Sequence, residues 1–408
     1  MQLNLIFMSD PVESGKKIPT DTLTTIEMLE NDPSQVYARL RQLTPIVRLS
    51  ALGGRIIFTK AADVKRVKTD SVHFGSHDIT TPMQRAFGGH TLMRKDGCPH
   101  LRERRAMEPA LNLDQIQKWK PAFEVLVDRL IEDLASNSTA NLYSAFATPL
   151  TAGYLRLLLG LDDIDEKHLF DWASALVRGA MNSGFDPAIF AISDLANKEM
   201  NACFDQMIMQ KKASPDGSVL SVMANEDEPL SLAQIRTNMK ICVGGAVIES
   251  RDALLSTIYG LLSNPDQLRN CISSNEWGPC CDEGLRWVAP IQASPRIVKK
   301  SLVMRGVLIP EGETVMAVQA SANHDEEIWH RADQFDSRRE FNEHQTFGDG
   351  AHQCLGGNAY RLIVADVALP KLFSRFPTMC LEKNRTVFFK GFAFRGPTSL
   401  PVILNQSG

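Results

Sequence analysis

One stretch concentrates residues able to do chemistry: TFGDGAHQCLGGNAYRL, residues 346–362. Within it Phe347, Gly348, Gly350, His352, Cys354 and Gly356 spell F-G-x-G-x-H-x-C-x-G. The pattern that follows predicts a helix beginning just after Cys354. A cysteine in that place receives the first-turn amides near its sulfur, and those donors, with the helix dipole, favour the thiolate. The glycines permit positive φ and let backbone approach something flat and bulky. His352 lies two residues before the cysteine, where extended backbone puts both on one side. A cysteine beside glycines is more often a structural thiol, and a Cys–His nucleophile–base pair is a second alternative. A base two residues away along extended chain is poorly placed for that pair, and no G-x-C-x-G elbow is present.

A flat group that takes one thiolate, a cationic donor nearby and no side-chain bulk is haem b. Cys354 is therefore expected to be the iron ligand. An axial thiolate pushes electron density to iron and favours O–O cleavage.

Elsewhere the chain is ordinary. Its 408 residues allow a large core, 44% are hydrophobic and 23% charged, and the net charge is −4 with a pI of about 6.2. No nucleic-acid partner is implied by that balance. The N-terminal MQLNLIFMSD is too short an apolar run to span a bilayer and lacks a basic n-region. The expectation is a cytoplasmic protein without a membrane partner, its eight cysteines reduced.

The elements that must position the cysteine loop are legible in outline. Residues 1–35 read as an N-terminal extended segment and 36–408 as a single domain, mainly α with small β-sheets (α+β). IVRLSALGGRIIFT places Gly53-Gly54 between two apolar runs, a β-hairpin. Residues 60–270 are mainly of helical periodicity, with a polar break over 211–229. Ser231 and Gln234 form a capping box, from which one apolar helix runs to Leu262 before Asn264-Pro265. At 1.5 Å per residue that helix is roughly 48 Å long, so it must be central. Residues 295–320 alternate as short strands. Pro370 falls inside the helix after Cys354, where it should bend or end it. No G-x-G-x-x-G and no βαβ rhythm occurs, which disfavours a dinucleotide fold.

With these motifs in hand, the sequence resembles the haem-thiolate monooxygenases, the cytochromes P450 of the soluble bacterial type, over nearly its whole length. Glu283 and Arg286 match that family's E-x-x-R pair, which the resemblance makes a structural ion pair. ANHDEEIWHRADQFDSRR, residues 322–339, resembles the segment ahead of the cysteine loop. DGCPHLRERR, residues 96–105, resembles another family segment, in which His100 and Arg104 match positions that bind haem propionates. Arg296 and His352 match the remaining propionate partners.

The family usually carries an acid–alcohol pair in the central helix. Here that helix reads ICVGGAVIESRDALL. Counting back from Asn264-Pro265 puts Glu249 at the alcohol position and Gly245 beside the oxygen site, whereas aligning the Gly244-Gly245 pair puts Ile248 at the alcohol position. The absence of threonine departs from the pattern, and Glu249 is expected to relay protons itself. The G-G-x-x-x-E-x-R-D run resembles a subset that O-demethylates small methoxylated aromatics such as guaiacol and related lignin fragments. The resemblance then implies a pocket of Phe74, Ile79, Leu169, Phe170, Ile241, Gly245, Ala293, Ser294, Phe392 and Phe394, the last two in register on one strand. It also implies O2, a small aromatic substrate and a separate NADH-linked reductase of flavin or Fe–S type, docking near Arg102, Arg104 and Arg105. Rival readings are hydroxylation of a terpene, fatty acid or steroid, a peroxide-driven variant, or a haem-binding gas sensor.

Overall fold

The computed structural model describes residues 15–78, 81–340 and 343–405. The expected hairpin forms: Ile46–Leu49 pairs antiparallel with Arg55–Phe58, Ile46 opposite Phe58. Gly53 and Gly54 take φ of +66° and +81°, the left-handed turn that only glycine adopts without strain. Tertiary pairing then enlarges the hairpin into a six-stranded sheet. Thr314–Ala317 adds in parallel to Arg55–Phe58, Ser294–Val298 follows, and Phe74–Gly75 forms one edge. Thr20–Asp21 forms the other, parallel to Ile46–Leu49. The segment before residue 36 is therefore not merely extended where it is described. It holds this strand and the helix Ile26–Asn31, whose Leu29 is fully buried.

The larger core is helical. Val247–Ser263 lies at its centre, with Leu254, Leu255 and Ile258 fully buried. It packs against Trp277–Val288 at very short range because one partner lacks a Cβ at the crossing. A Cβ on Gly284 would collide with Thr257. Gly260 likewise leaves room for the Phe335 ring.

Two helix expectations are corrected. The central helix is not one rod: it comprises Leu232–Gly244 and Val247–Ser263. The Gly245 amide still bonds Ile241 O at 2.9 Å, but Ala246 leaves helical geometry at φ −137°. Gly245 is exposed at that break. Conversely, the helix after Cys354 does not end at Pro370. Gly357–Arg361 passes into a wide π turn, Leu362–Ala368, and continues as Leu369–Arg375. Proline lacks an amide and crowds the carbonyl one turn back. The π turn ahead of it widens the spacing, and Pro370 falls in the first turn of the next segment.

A thiol expectation is corrected as well. The sulfurs of Cys271 and Cys280 are bonded to each other, joining Pro265–Ser274 to Trp277–Val288, and six cysteines are free. Among the described residues no helix is long and apolar enough to cross a membrane.

Glu283 and Arg286 form a buried bidentate pair at 2.7 and 2.8 Å. Arg286 also donates to Asn323 O, Ala332 O and Gln334 O, while Arg339 and the Asp336 amide donate to Glu283. All the charge is thus spent within one network that pins residues 323–339 to the helix. Replacing Arg286 by alanine would leave the Asn323 and Ala332 carbonyls without this donor and the buried Glu283 carboxylate with only Arg339 and the Asp336 amide. The expected cost is roughly 3–5 kcal/mol, read as a lower thermal midpoint, and Arg286→Lys should recover only part of it because one ammonium cannot reach both sides. An unchanged midpoint in Arg286→Ala would contradict this.

Candidate active site

The cysteine loop is held from the buried ion pair outward. Arg286 fixes the Asn323 carbonyl; the Asn323 side chain then donates to Thr346 Oγ1 at 2.9 Å and accepts from the Gln345 amide at 2.8 Å. Thr346 donates to Leu285 O, back on the same helix. The next residue, Phe347, accepts from the Cys354 amide at 2.7 Å and closes the loop. Gly348 and Gly350 take φ of +74° and +68°, so the backbone can double back between them. A Cβ at Gly350 would also press on Lys68 O at 3.3 Å.

Cys354 lies deep, and burial pushes its thiol pKa up. The Gly356 amide, the charge of Arg104 and the Gly357 amide pull the other way. These are the first-turn donors expected of a cysteine ahead of a helix. The residue as a whole nonetheless keeps accessible surface.

Beside it stands a group of histidine and arginine side chains with few acids. The His100 and His352 rings lie 4.1 Å apart. His352 Nε2 meets Ser76 Oγ at 3.0 Å and Asp96 at 3.4 Å. Burial alone would raise the pKa of Asp96, but bonds from His352 and the Ser76 amide outweigh it and hold the carboxyl far below its usual range. Burial, then His352 and Arg104, push His100 down to about 4. Arg296 donates to Pro295 O and has no ion pair among the described residues; burial and the neighbouring Arg94 lower it to about 10. A carboxylate-bearing ring such as haem fits this surplus, since its propionates supply the missing charge. Arg104 is committed differently: it bonds Glu108 and, at 2.7 Å, Gln353 O, which ties it to the cysteine loop.

Glu249 lies in the first turn after the helix break. Its Oε2 is buried and has no hydrogen-bond partner. Neither neighbouring arginine neutralises it, because Arg251 pairs with Asp252 and Arg286 with Glu283. Burial raises its pKa to about 8, so the carboxyl is protonated at neutral pH. The adjacent Ser250 bonds Tyr154 at 2.8 Å. That contact was not foreseen, since nothing in the sequence links residues 154 and 250.

The expected substrate wall is distributed over separate apolar clusters. Leu169 and Ile241 are buried in the helical core, Phe74 in the sheet core against Phe58, and Ala293 in a third cluster that Phe392 covers. Leu169, fully buried, has no free surface to offer. The Arg251 guanidinium lies 5.5 Å from the Phe170 ring and 4.3 Å from that of Tyr143. Ser294 donates to Gln319. Phe392 and Phe394 do not share a strand: they sit in the turn between Phe389–Lys390 and Gly396–Pro397, with Phe394 bridging to Ile291. Only Gly245 is openly accessible beside the break. Ile79 lies outside the described residues. Of the basic trio, Arg102 is held by Glu226 and Glu228 O, Arg104 as above, and Arg105 is exposed.

The comparisons agree with a haem-dependent oxidoreductase. Residues 279–385 match the family model for cytochrome P450. The putative cytochrome P450 YjiB of Bacillus subtilis is 29% identical over 78% of this chain and 81% of its own. The 6-deoxyerythronolide B hydroxylase of Saccharopolyspora erythraea is 24% identical over 94% and 100%. Among solved structures, CYP109B1 from Bacillus subtilis is 25% identical with a TM-score of 0.81, over 92% of this chain and all of that one. P450BioI, solved with a fatty-acid-loaded acyl carrier protein, reaches 0.85 at 23% identity over 93% and 100%, a likeness of fold. The chain is a cytochrome P450 monooxygenase of the bacterial type, with haem b as its cofactor.

Glu249 also predicts a pH signature. Its folded pKa is raised, so between the ordinary glutamate value and about 8 the folded state holds a proton that the unfolded state releases. This group's contribution to stability is full below that window, falls as pH rises through it, and is constant above it. Denaturant titrations at stepped pH should therefore show a steeper loss for wild type than for Glu249→Gln. Parallel profiles would count against a buried, protonated Glu249.

Proposed function

We propose that this monooxygenase O-demethylates a small methoxylated aromatic of the guaiacol, syringol or methoxybenzoate kind. Cys354 would hold the haem iron, with His100, His352 and Arg296 taking its propionates and Arg104 steadying the loop. Haem b, when bound, supplies activation of O2. Oxidation at the methoxy carbon gives a hemiacetal, which collapses to a phenol and formaldehyde. One O2, two electrons and two protons are consumed, and the second oxygen atom leaves as water. The electrons would come from a separate NADH-linked flavin or Fe–S reductase.

Glu249 carries this reading. It stands where the family's alcohol usually stands, one turn from the helix break. It is protonated at neutral pH and bonded to no arginine. Such a carboxyl can donate a proton and be recharged through water. The run Gly244-Gly245 to Glu249, Arg251 and Asp252 supports the aromatic-ether class by resemblance. A second reading, hydroxylation of a larger lipid or polyketide, is favoured by the relatives named for such work, among them the 6-deoxyerythronolide B hydroxylase.

Reconstitution with a surrogate reductase tests both. The expected result is formaldehyde in equal amount to the demethylated phenol from one or more methoxyarenes. Turnover of fatty acids or macrolides with no methoxyarene accepted would support the second reading instead. In Glu249→Gln, formaldehyde formation should fall on the order of 100-fold while NADH oxidation continues. Unchanged coupling would remove Glu249 from the relay.

A further inference from the structure

Lys240 is only 2% exposed, in the helix Leu232–Gly244 a little over one turn before the break. Buried ammonium groups are normally paired. Elsewhere in this chain they are: Lys60 with Asp325 and Glu327, Lys95 with Glu103, Lys211 with Asp162 and Asp216. Lys240 has neither a carboxylate nor a hydrogen bond among the described residues. The nearest cation on its helix, Arg236, is already taken by Asp205 and only repels it. Burial and that guanidinium push Lys240 down to about 8.

The surroundings are polar, and two of their acceptors also lack partners. Asn197 Oδ1 and Asn201 Oδ1 are buried without partners. They sit four apart on the helix Pro187–Ala213, on the face that Asp205 ties to Arg236. The loop at Gly88 closes the third side. A Cβ placed there would stand 3.1 Å from Asn197 Oδ1 and 3.3 Å from Lys240 Nζ, so both atoms flank one point. The preceding residue, Phe87, lays its ring on Gly244, just before the break. Five residues of helix separate Lys240 from Gly245, a rise of about 7.5 Å, comparable to one substituted benzene ring.

We propose that Lys240 is a substrate anchor that binds a carboxylate, with Asn197 and Asn201 accepting hydrogen bonds from a hydroxyl or water beside it. The inference rests on the aromatic-ether reading and narrows it to methoxylated aromatic acids. Lys240 is a positioning and specificity residue; it takes no part in bond making.

The test is calorimetric titration of the holoenzyme with 4-methoxybenzoate, the neutral 4-methoxybenzamide, and dodecanoate. Wild type should bind the acid about tenfold or more tighter than the amide, as a hydrogen bond to a charged group would give. Lys240→Met should erase that preference and leave amide binding unchanged. Asn197→Asp, which supplies an internal carboxylate, should erase it while keeping the lysine. An acid preference that survives in both variants, or one absent from wild type, overturns the anchor. If dodecanoate alone shows a Lys240-dependent preference, the anchor stands and the aromatic reading falls. If methoxyarenes are demethylated but acids bind no better than amides, the anchor falls and that reading stands.

Discussion

The sulfur proposed to bind iron as an anion has been placed where burial opposes its charge. Everything around Cys354 answers that constraint. The Gly356 and Gly357 amides and the Arg104 charge offset desolvation, and they can do so only if the loop keeps its shape. The shape depends on two glycines at positive φ and on the Phe347 carbonyl accepting from the Cys354 amide. Phe347 in turn follows Thr346 and Gln345, which Asn323 grips, and Asn323 is fixed by Arg286. The buried Glu283–Arg286 pair is a poor source of net stability, since two desolvated charges roughly cancel their own attraction. Its value lies in direction. Five guanidinium donors in one plane dictate where several carbonyls must be, and the cysteine loop inherits that placement.

The same physics runs with opposite sign along the central helix. Glu249 is left without a cation and so keeps its proton. Lys240 is left without an anion. Each is a buried ionisable group that the fold declines to neutralise, close to a helix break where Gly245 is open. Compensated charges such as Arg251–Asp252, with the guanidinium also near the Tyr143 and Phe170 rings, are structural by contrast. Unpaired ones mark where something else is meant to bind or where a proton is meant to move.

Much of this was legible in the sequence because the features are local. The cysteine loop is a contiguous run whose glycines and histidine declare their backbone needs. The hairpin at Gly53-Gly54, the capping box at Ser231 and Gln234 and the i, i+3 spacing of Glu283 and Arg286 depend on residues within one turn of each other. The errors were also of one kind. The central helix was read through Gly245-Ala246 because small residues do not interrupt an apolar pattern. Phe392 and Phe394 were read as strand because alternation looks the same in a turn. Pro370 predicts a bend or an end, and composition leaves no mark of the π turn that accommodates it. Cys271 and Cys280 gave no sign of pairing because spacing alone does not fix a disulfide.

What the amino-acid order settled by itself is the buried ion pair and the class of chemistry, and it also singles out the sulfur proposed as the ligand, since each rests on residue type at short range. The folded chain alone decided which charges are compensated. Asp96 meets His352, Asn197 meets the loop at Gly88, and Tyr154 meets Ser250 across separations that no pattern encodes. Desolvation depends on every neighbour in three dimensions, so the states of Glu249 and Lys240, and the dispersal of the expected pocket residues into three cores, exist only once the chain has closed around them.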